Sequence, residues 1–297
     1  MINKGVHPEE KPIWIEGPHM YKINGKYFLM DAEGGTSVNH SEVIFRSDSP
    51  WGPFVAWKNN PILTQRHLSP NRPNPITCAG HADLIQAAEG DWWAVFLACR
   101  PINNRFENLG RETFLMPVKW SDDGFPYITQ GNESLPLVQA RSGVTRQQEL
   151  TFGNFDVKEE FNDSTLGMQW MTLRGPATDL YSLTETPGYL TLKCATKSSK
   201  ERVVPAMVCR RLQHHQFEAE TRMYFNPQCV DEKAGLLLFK DEFHQYFMAV
   251  AESEAGRTVS LIQIGREEDS VLACEKVSSE STCFDLKVVS TTGLTFD

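Results

Sequence analysis

Glu16 is followed directly by Gly17 and Pro18, and it stands where an alternating apolar strand begins. Proline fixes its own φ and restricts the residue before it, so the backbone beside this glutamate is stiff. A general acid has to be held in such a fixed position next to the bond that it protonates. The motif therefore leaves two interpretations open, a solvated loop glutamate and a catalytic acid, and the motif alone does not separate them.

Three further polar residues stand at comparable places. His81, in "CAGHADLI", opens the next strand unit, where it either satisfies local hydrogen bonds or binds a cation or water at a central axis. Arg111, in "LGRET", leads into an apolar strand and is either a surface residue or a fixed guanidinium that reaches a ligand. Thr36 follows two glycines and is either a turn threonine or a hydrogen-bonding partner of a polar ligand.

Short antiparallel strands must position these residues. "HMYKINGKYFLMDA" predicts a hairpin with a turn at Asn24-Gly25, because both turn positions tolerate positive φ. The same order recurs in "GHADLIQAAEGDWWAVFLACR", with a turn at Glu89-Gly90. Two such units, starting at Gly17 and Gly80, are typical of a β-propeller, which needs about four or more blades to close.

The bulk composition narrows the classes of function. The 297-residue chain carries a net charge of −9, which argues against nucleic acid or an anionic membrane as the main partner. Its seven cysteines are scattered without a CxxC pair, which supports neither a disulfide framework nor a structural zinc site. The opening residues lack the apolar run of a signal peptide, so the localisation stays open.

The character of the sequence changes in the middle. Residues 129–151 are polar and lose the strand pattern, and we place a linker at 141–151 between domains at 1–140 and 152–297. In the second domain, segments such as "FEAETRMYF" alternate apolar and polar positions. That alternation predicts antiparallel sheets packed face to face.

In combination, several segments are similar to the β-xylosidase and α-L-arabinofuranosidase group of glycoside hydrolase family 43. They are "EGPHMYKINGKYFLMDAEGGT", "NHSEVIFRSDSPWGPF", "NPITCAGHADLIQ", "DWWAVFLACRP" and "LGRETF", followed in the second domain by "FNDSTLGMQWMTLR", "YSLTETPGYLTLK" and "AGLLLFKDEFHQY". The resemblance implies an all-β chain: part of a five-bladed β-propeller, then a concanavalin A-like (jelly-roll) β-sandwich.

The resemblance also implies roles for the four polar residues. Glu16 would be the general acid of an inverting glycosidase, and Arg111 would contact the sugar in the cleaved position, with Thr36 beside it. His81 would be the central histidine near a calcium ion or an ordered water, and no other cofactor is implied. The implied substrates are xylo-oligosaccharides or arabinose-substituted oligosaccharides, and the sequence does not separate xylosidase from arabinofuranosidase activity.

One departure from the family pattern bears on activity. Both family aspartates, the general base and the residue that modulates the acid, lie before the "EGPH" motif, and the fifteen residues before Glu16 contain no aspartate. We therefore expect the interior of a longer glycosidase, with a sandwich truncated at its C-terminus and negligible activity by itself. The alternatives are a non-catalytic carbohydrate-binding remnant and an inactive gene fragment.

Resident carboxylates are the other candidates for the missing base. We interpret them as structural groups in preference to substitutes for the aspartate; they are Asp31, Glu33, Glu42, Asp83 and Glu112.

Overall fold

The structure is a computed structural model that describes residues 14–141, 143, 156–254 and 256–297. The chain divides into two compact units, Met1–Thr145 and Arg146–Asp297. Most of the predicted linker at 141–151 lies outside the described residues, so the exact domain bounds stay a prediction. Within the described ranges the regular elements are strands and none is an α-helix, which confirms the all-β fold class. No helix in those ranges has the length and hydropathy to cross a bilayer.

The first unit begins with a five-stranded antiparallel sheet. Its strands follow the order β1-β2-β3-β4, and β5 also pairs with β3. The predicted hairpin is confirmed, since Asn24 and Gly25 connect the first two strands with φ values of 49° and 77°. The bounds are β1 Glu16–Ile23, β2 Lys26–Glu33, β3 Ser41–Ser47, β4 Val55–Ala56 and β5 Leu63–Thr64.

The second sheet of this unit has the order β6-β7-β8, and a separate short pair, β9 and β10, follows it. The predicted turn at Glu89-Gly90 is confirmed, with φ of 91° at Gly90 and a hydrogen bond from Ala87 N to Asp91 O of 2.8 Å. The bounds are β6 Thr77–Gln86, β7 Trp92–Cys99, β8 Glu112–Pro117, β9 Lys119–Trp120 and β10 Pro126–Tyr127.

A shared apolar core packs the two sheets together. β6 contacts both β2 and β3, and the core between them includes Met30, Ile44, Ala79 and Ala82, each at most 1% exposed. Burial of a side chain of the size of Met30 or Ile44 contributes about 1.5–3 kcal/mol. The packing also brings β1 beside β6, where the Tyr21 hydroxyl accepts a 2.9 Å hydrogen bond from Leu84 N.

Strand β6 is irregular in two places. Its pairing with β7 shifts between Thr77 and Gly80 and again between Gly80 and Asp83. Cys78 and His81 each have a φ of 56° at these shifts, a left-handed conformation that non-glycine residues adopt infrequently. β-Bulges of this kind bend a strand and re-aim side chains. The direction of His81 is therefore set by the backbone of β6.

The second unit consists of antiparallel sheets. The long strands pair as β15-β20 and as β16-β17-β18-β19, and the short strands pair as β11-β14 and β12-β13. Val250, Phe284 and Leu286 form its buried apolar cluster. The bounds are β11 Trp170–Thr172, β12 Tyr181–Ser182, β13 Thr191–Leu192, β14 Val208–Arg210, β15 Phe217–Tyr224, β16 Lys233–Asp241, β17 His244–Ala251, β18 Thr258–Ile264, β19 Ser270–Lys276 and β20 Cys283–Ser290.

Candidate active site

Glu16 is the first residue of β1 and pairs with Ala32 of β2. The pairing shifts between Glu16 and His19, so the Gly17-Pro18 step forms an irregularity at the very start of the strand. The Glu16 side chain is 51% exposed, and its Oε1 lies 4.0 Å from His81 Nδ1. The carboxyl group is thus available to solvent and stands next to the imidazole of the neighbouring sheet.

Gly17 makes this closeness possible. A Cβ added at Gly17 would lie 2.5 Å from His81 Nε2, and the φ of Gly17 is +59°. Both the left-handed backbone and the contact with the imidazole therefore favour glycine here. The glycine of the "EGPH" motif lets β1 and β6 approach each other until His81 stands beside Glu16.

His40 completes the cluster and is the residue that the sequence analysis did not single out. It is 1% exposed, and its Nδ1 lies 2.9 Å from the carbonyl oxygen of Cys78. Burial lowers the pKa of His40, which favours the neutral ring. Because a carbonyl only accepts, the proton of the neutral ring belongs on Nδ1, and among the described residues no hydrogen-bond partner reaches its buried Nε2.

Gly80 supports His40 as Gly17 supports His81. A Cβ at Gly80 would lie 2.9 Å from Cγ, Cδ2 and Cε1 of His40, so the glycine sits over the face of the ring. The two imidazole centroids are 6.4 Å apart in an edge-to-face arrangement. Two glycine–histidine contacts therefore fix the relative positions of β1, β6 and the segment before β3.

The structure brings three of the four predicted residues together. The pKa of His40 responds to the charges of His81, Glu16 and Arg111, so all three lie near its ring. Arg111 is exposed and directly precedes β8. Thr36 is exposed in the loop between β2 and β3, and within the described residues no hydrogen bond or ion pair joins it to the other three.

The buried resident carboxylates have structural surroundings. Glu42 is 0% exposed, and its Oε2 accepts a hydrogen bond of 2.9 Å from the backbone N of Ala82. Burial, together with the nearby Asp31 charge, raises the pKa of Glu42 well above its usual value. Asp31 and Glu33 are 4% and 0% exposed. None of the three presents an open carboxylate to a substrate.

The two remaining carboxylates each lie against a basic side chain. Asp83 lies 2.7 Å from Nδ1 of His19, and Glu112 accepts hydrogen bonds of 2.9 Å from Nε and 2.7 Å from Nη2 of Arg100. A paired guanidinium with two such contacts holds its carboxylate in one orientation. These contacts support the structural interpretation of both residues.

The burial of Glu42 predicts that the stability of the fold depends on pH. The folded protein keeps the Glu42 carboxyl protonated at pH values where the unfolded chain has released this proton. The free energy of unfolding therefore falls as pH rises from the unfolded pKa of Glu42 towards its folded pKa. We expect Glu42→Gln to flatten the fall in free energy of unfolding as pH rises above the unfolded pKa of about 4.3, a slope of at most about 1.4 kcal/mol per pH unit for one group.

Urea unfolding followed by tryptophan fluorescence at several pH values measures this slope. Glu89→Gln, at an exposed turn carboxylate, is the control and should leave the slope of the parent chain unchanged. Equal slopes in the parent chain and in Glu42→Gln would contradict a protonated Glu42.

The described side chains around His81 do not match the ligand set of the calcium ion that the family resemblance implies. Calcium takes about six to eight oxygen ligands. Among the described residues, the only cluster of three or more histidine, cysteine or carboxylate ligands lies elsewhere, at Cys78, Cys99 and Glu107. The described residues do not gather a calcium-type set of side chains around His81, and the ion or ordered water at His81 stays a prediction.

Comparison with known proteins identifies the two units. The model of glycosyl hydrolases family 43 matches residues 2–126, and the model of the β-xylosidase C-terminal concanavalin A-like domain matches residues 158–296. The non-reducing end α-L-arabinofuranosidase BoGH43B of Bacteroides ovatus is 38% identical over 251 residues, which are 84% of this chain and 45% of that protein. A β-xylosidase of Bacillus subtilis is 35% identical over 83% of this chain and 47% of its own length.

Solved structures agree with the sequence matches. The family 43 protein BlXynB of Bacillus licheniformis has a TM-score of 0.85 at 31% identity, covering 98% of this chain and 54% of its own. A Bacteroides ovatus family 43 structure has a TM-score of 0.81 at 34% identity, covering 94% and 54%. This chain thus spans about half the length of these relatives. The fold is the propeller and concanavalin A-like sandwich of these neighbours, represented in part, and the chain belongs to glycoside hydrolase family 43.

Proposed function

We propose that this chain is part of a glycosidase that hydrolyses terminal xylosidic or arabinofuranosidic bonds, with Glu16 as the general acid. The observation that carries the proposal is the placement of Glu16: a half-exposed carboxyl beside His81, at a strand start that only glycine permits to come so close. The names of the relatives, an arabinofuranosidase and a xylosidase, support a pentoside as the sugar that is released.

In the proposed reaction, Glu16 donates its proton to the glycosidic oxygen as the bond to the sugar breaks. Proton donation from a fixed direction matters because the oxygen leaves along one line, and the contact of Gly17 with His81 holds the strand that carries the acid. Arg111 presents a guanidinium near the same cluster and would bind sugar hydroxyl groups. Thr36 would add a hydroxyl contact from the neighbouring loop.

The general base of an inverting reaction would come from outside the described residues. Inversion needs a second carboxylate about 6.5–9.5 Å from the acid, which activates a water on the opposite face of the sugar. Three of the five resident candidates are buried, Glu112 is held by Arg100, and Asp83 lies 2.7 Å from His19, which argues against each of them in that role. Their surroundings support an aspartate supplied by the part of the relatives that this chain does not span.

The test is an assay of two proteins against 4-nitrophenyl xylopyranoside and arabinofuranoside. The first is this chain alone, and the second is a chimera in which this chain replaces the matched region of the Bacteroides ovatus relative. We expect negligible turnover by the chain alone and measurable turnover by the chimera, because the loss of a general base alone costs about 10²–10⁴-fold.

Each result has a distinct meaning. Robust turnover by the chain alone would show that a resident carboxylate serves as the base and would contradict our placement of it. A folded chimera without activity on either pentoside would count against the glycosidase proposal itself.

A further inference from the structure

A second cluster of reactive side chains lies where β6 begins and β7 ends. Cys78 and Cys99 are buried, at 5% and 2% exposure, and Glu107 reaches them from the loop that follows β7. Cys78 Sγ lies 3.4 Å from Glu107 Oε1, which also accepts a 3.4 Å hydrogen bond from the Thr77 hydroxyl. These side chains are separate from the group around Glu16, although the Cys78 backbone carbonyl oxygen lies 2.9 Å from Nδ1 of His40.

The distances in this cluster suit a small thiophilic cation. The two sulfur atoms and the carboxylate oxygen all lie within 4.8 Å of one another. In a tetrahedral zinc site, metal–sulfur bonds of about 2.3 Å and metal–oxygen bonds of about 2.0–2.2 Å place ligand atoms about 3.5–3.8 Å apart. The 3.4 Å separation of Cys78 Sγ and Glu107 Oε1 is close to this range, so at most about 1.3 Å of closure is left for Cys99.

The chemistry of the donors selects among metals. Two thiolates favour zinc and related soft cations over calcium or magnesium, which prefer oxygen ligands. Three protein ligands leave one tetrahedral position for water on the side of Glu107, whose side chain is exposed. A divalent ion would also neutralise two of the three negative charges that the bound ligands carry.

We propose that Cys78, Cys99 and Glu107 form a binding site for a single zinc-class divalent cation, with water as the fourth ligand. The two cysteines are 21 residues apart and Glu107 follows 8 residues later. No short ligand motif marks such a site, because its ligands come from two paired strands and a loop.

A bound ion would fasten the loop between β7 and β8. Within this loop Ile102 and Phe106 exchange backbone hydrogen bonds of 2.7 and 3.0 Å, and a turn then runs from Glu107 to Gly110, closed by a 2.9 Å hydrogen bond. Arg111 follows that turn directly. The ion would therefore tie β6, the strand that carries His81, to the loop that ends at Arg111.

The experiment is metal binding to the full chain under a non-thiol reductant. Equilibrium dialysis against Zn²⁺, and Cd²⁺ titration followed by thiolate-to-metal charge-transfer absorbance, report occupancy without any need for activity. We expect one tightly held equivalent that is lost in Cys78→Ser and in Cys99→Ser. Cys209→Ser, which removes a half-buried thiol of the second unit, is the matched control and should retain it.

Glu107→Gln protects the test against misfolding of the buried cysteine variants, since it alters only an exposed side chain. We expect it to weaken Zn²⁺ binding by about tenfold or more, because even groups outside the ligand shell change affinity by about 10–100-fold. Glu89→Gln is its control. Zinc affinity unchanged in Glu107→Gln, or unchanged in both cysteine variants, would overturn the site.

Discussion

Replacing Glu16 by alanine in the chimera is expected to lower kcat/KM about 10²–10⁴-fold on pentosides with poor leaving groups, and much less on 4-nitrophenyl pentosides. A sugar or alkyl leaving group needs a proton as its bond to the sugar breaks, whereas nitrophenolate departs without one. The measurement compares kcat/KM across a series of leaving groups of rising basicity for the parent chimera and the variant.

The leaving-group series separates a catalytic acid from a structural glutamate. Loss of a structural role would lower the rate on every substrate by a similar factor. Glu112→Gln, which disturbs an ion pair and not the cluster around Glu16, is the matched control and should show the same leaving-group dependence as the parent. A uniform loss in Glu16→Ala would remove Glu16 from its proposed role.

Gly17→Ala is expected to destabilise the first unit by about 2–5 kcal/mol. The left-handed backbone, at φ +59°, accounts for about 1–2 kcal/mol of this for a residue with a Cβ. The remainder comes from the overlap of that Cβ with the His81 ring, at 2.5 Å, since forced repacking costs about 1–3 kcal/mol. Denaturant unfolding of the full chain, followed by the fluorescence of the buried Trp57 and Trp93, gives the value.

Gly25→Ala provides a matched control for the backbone contribution. Gly25 has a φ of +77°, and nothing lies within 4 Å of an added Cβ, so its substitution reports the left-handed conformation without an overlap. In a His81→Ala background, Gly17→Ala no longer meets the imidazole. There it should lower the free energy of unfolding only as much as Gly25→Ala does in the parent chain. Equal costs for the two single variants would show that the contact with His81 does not limit the approach of the strands.

Local chemistry explains which parts of the fold were predictable. The turn at Asn24-Gly25 was found because two adjacent residues that tolerate positive φ mark it, and the alternation of "FEAETRMYF" marked β15 in the same way. The register shifts in β6 are not predictable in this way, because their left-handed positions are Cys78 and His81. Cysteine and histidine do not mark a left-handed conformation as glycine and asparagine do.

Short motifs carry the prediction of the site residues. Glu16, His81 and Arg111 are predicted from such segments, and their charges all act on the pKa of one buried ring. That ring, His40, was missed because it follows a polar loop and its burial depends on Gly80, forty residues further along the chain. Contacts between distant segments are set by sheet packing, which single-sequence patterns do not encode. The roles of these residues remain proposals, and the leaving-group series tests that of Glu16.

The contact between Gly80 and the face of His40 has a consequence for redesign. Because Gly80 has no side chain, β6 lies against the face of the His40 ring. The gap between β6 and the segment before β3 is therefore about one flat ring thick and fits planar groups. Burial lowers the pKa of His40 there, and the narrow gap favours a flat side chain. A library at position 40 should therefore enrich aromatic and amide side chains over branched aliphatic ones, even where the aliphatic residues are equal in volume and more apolar.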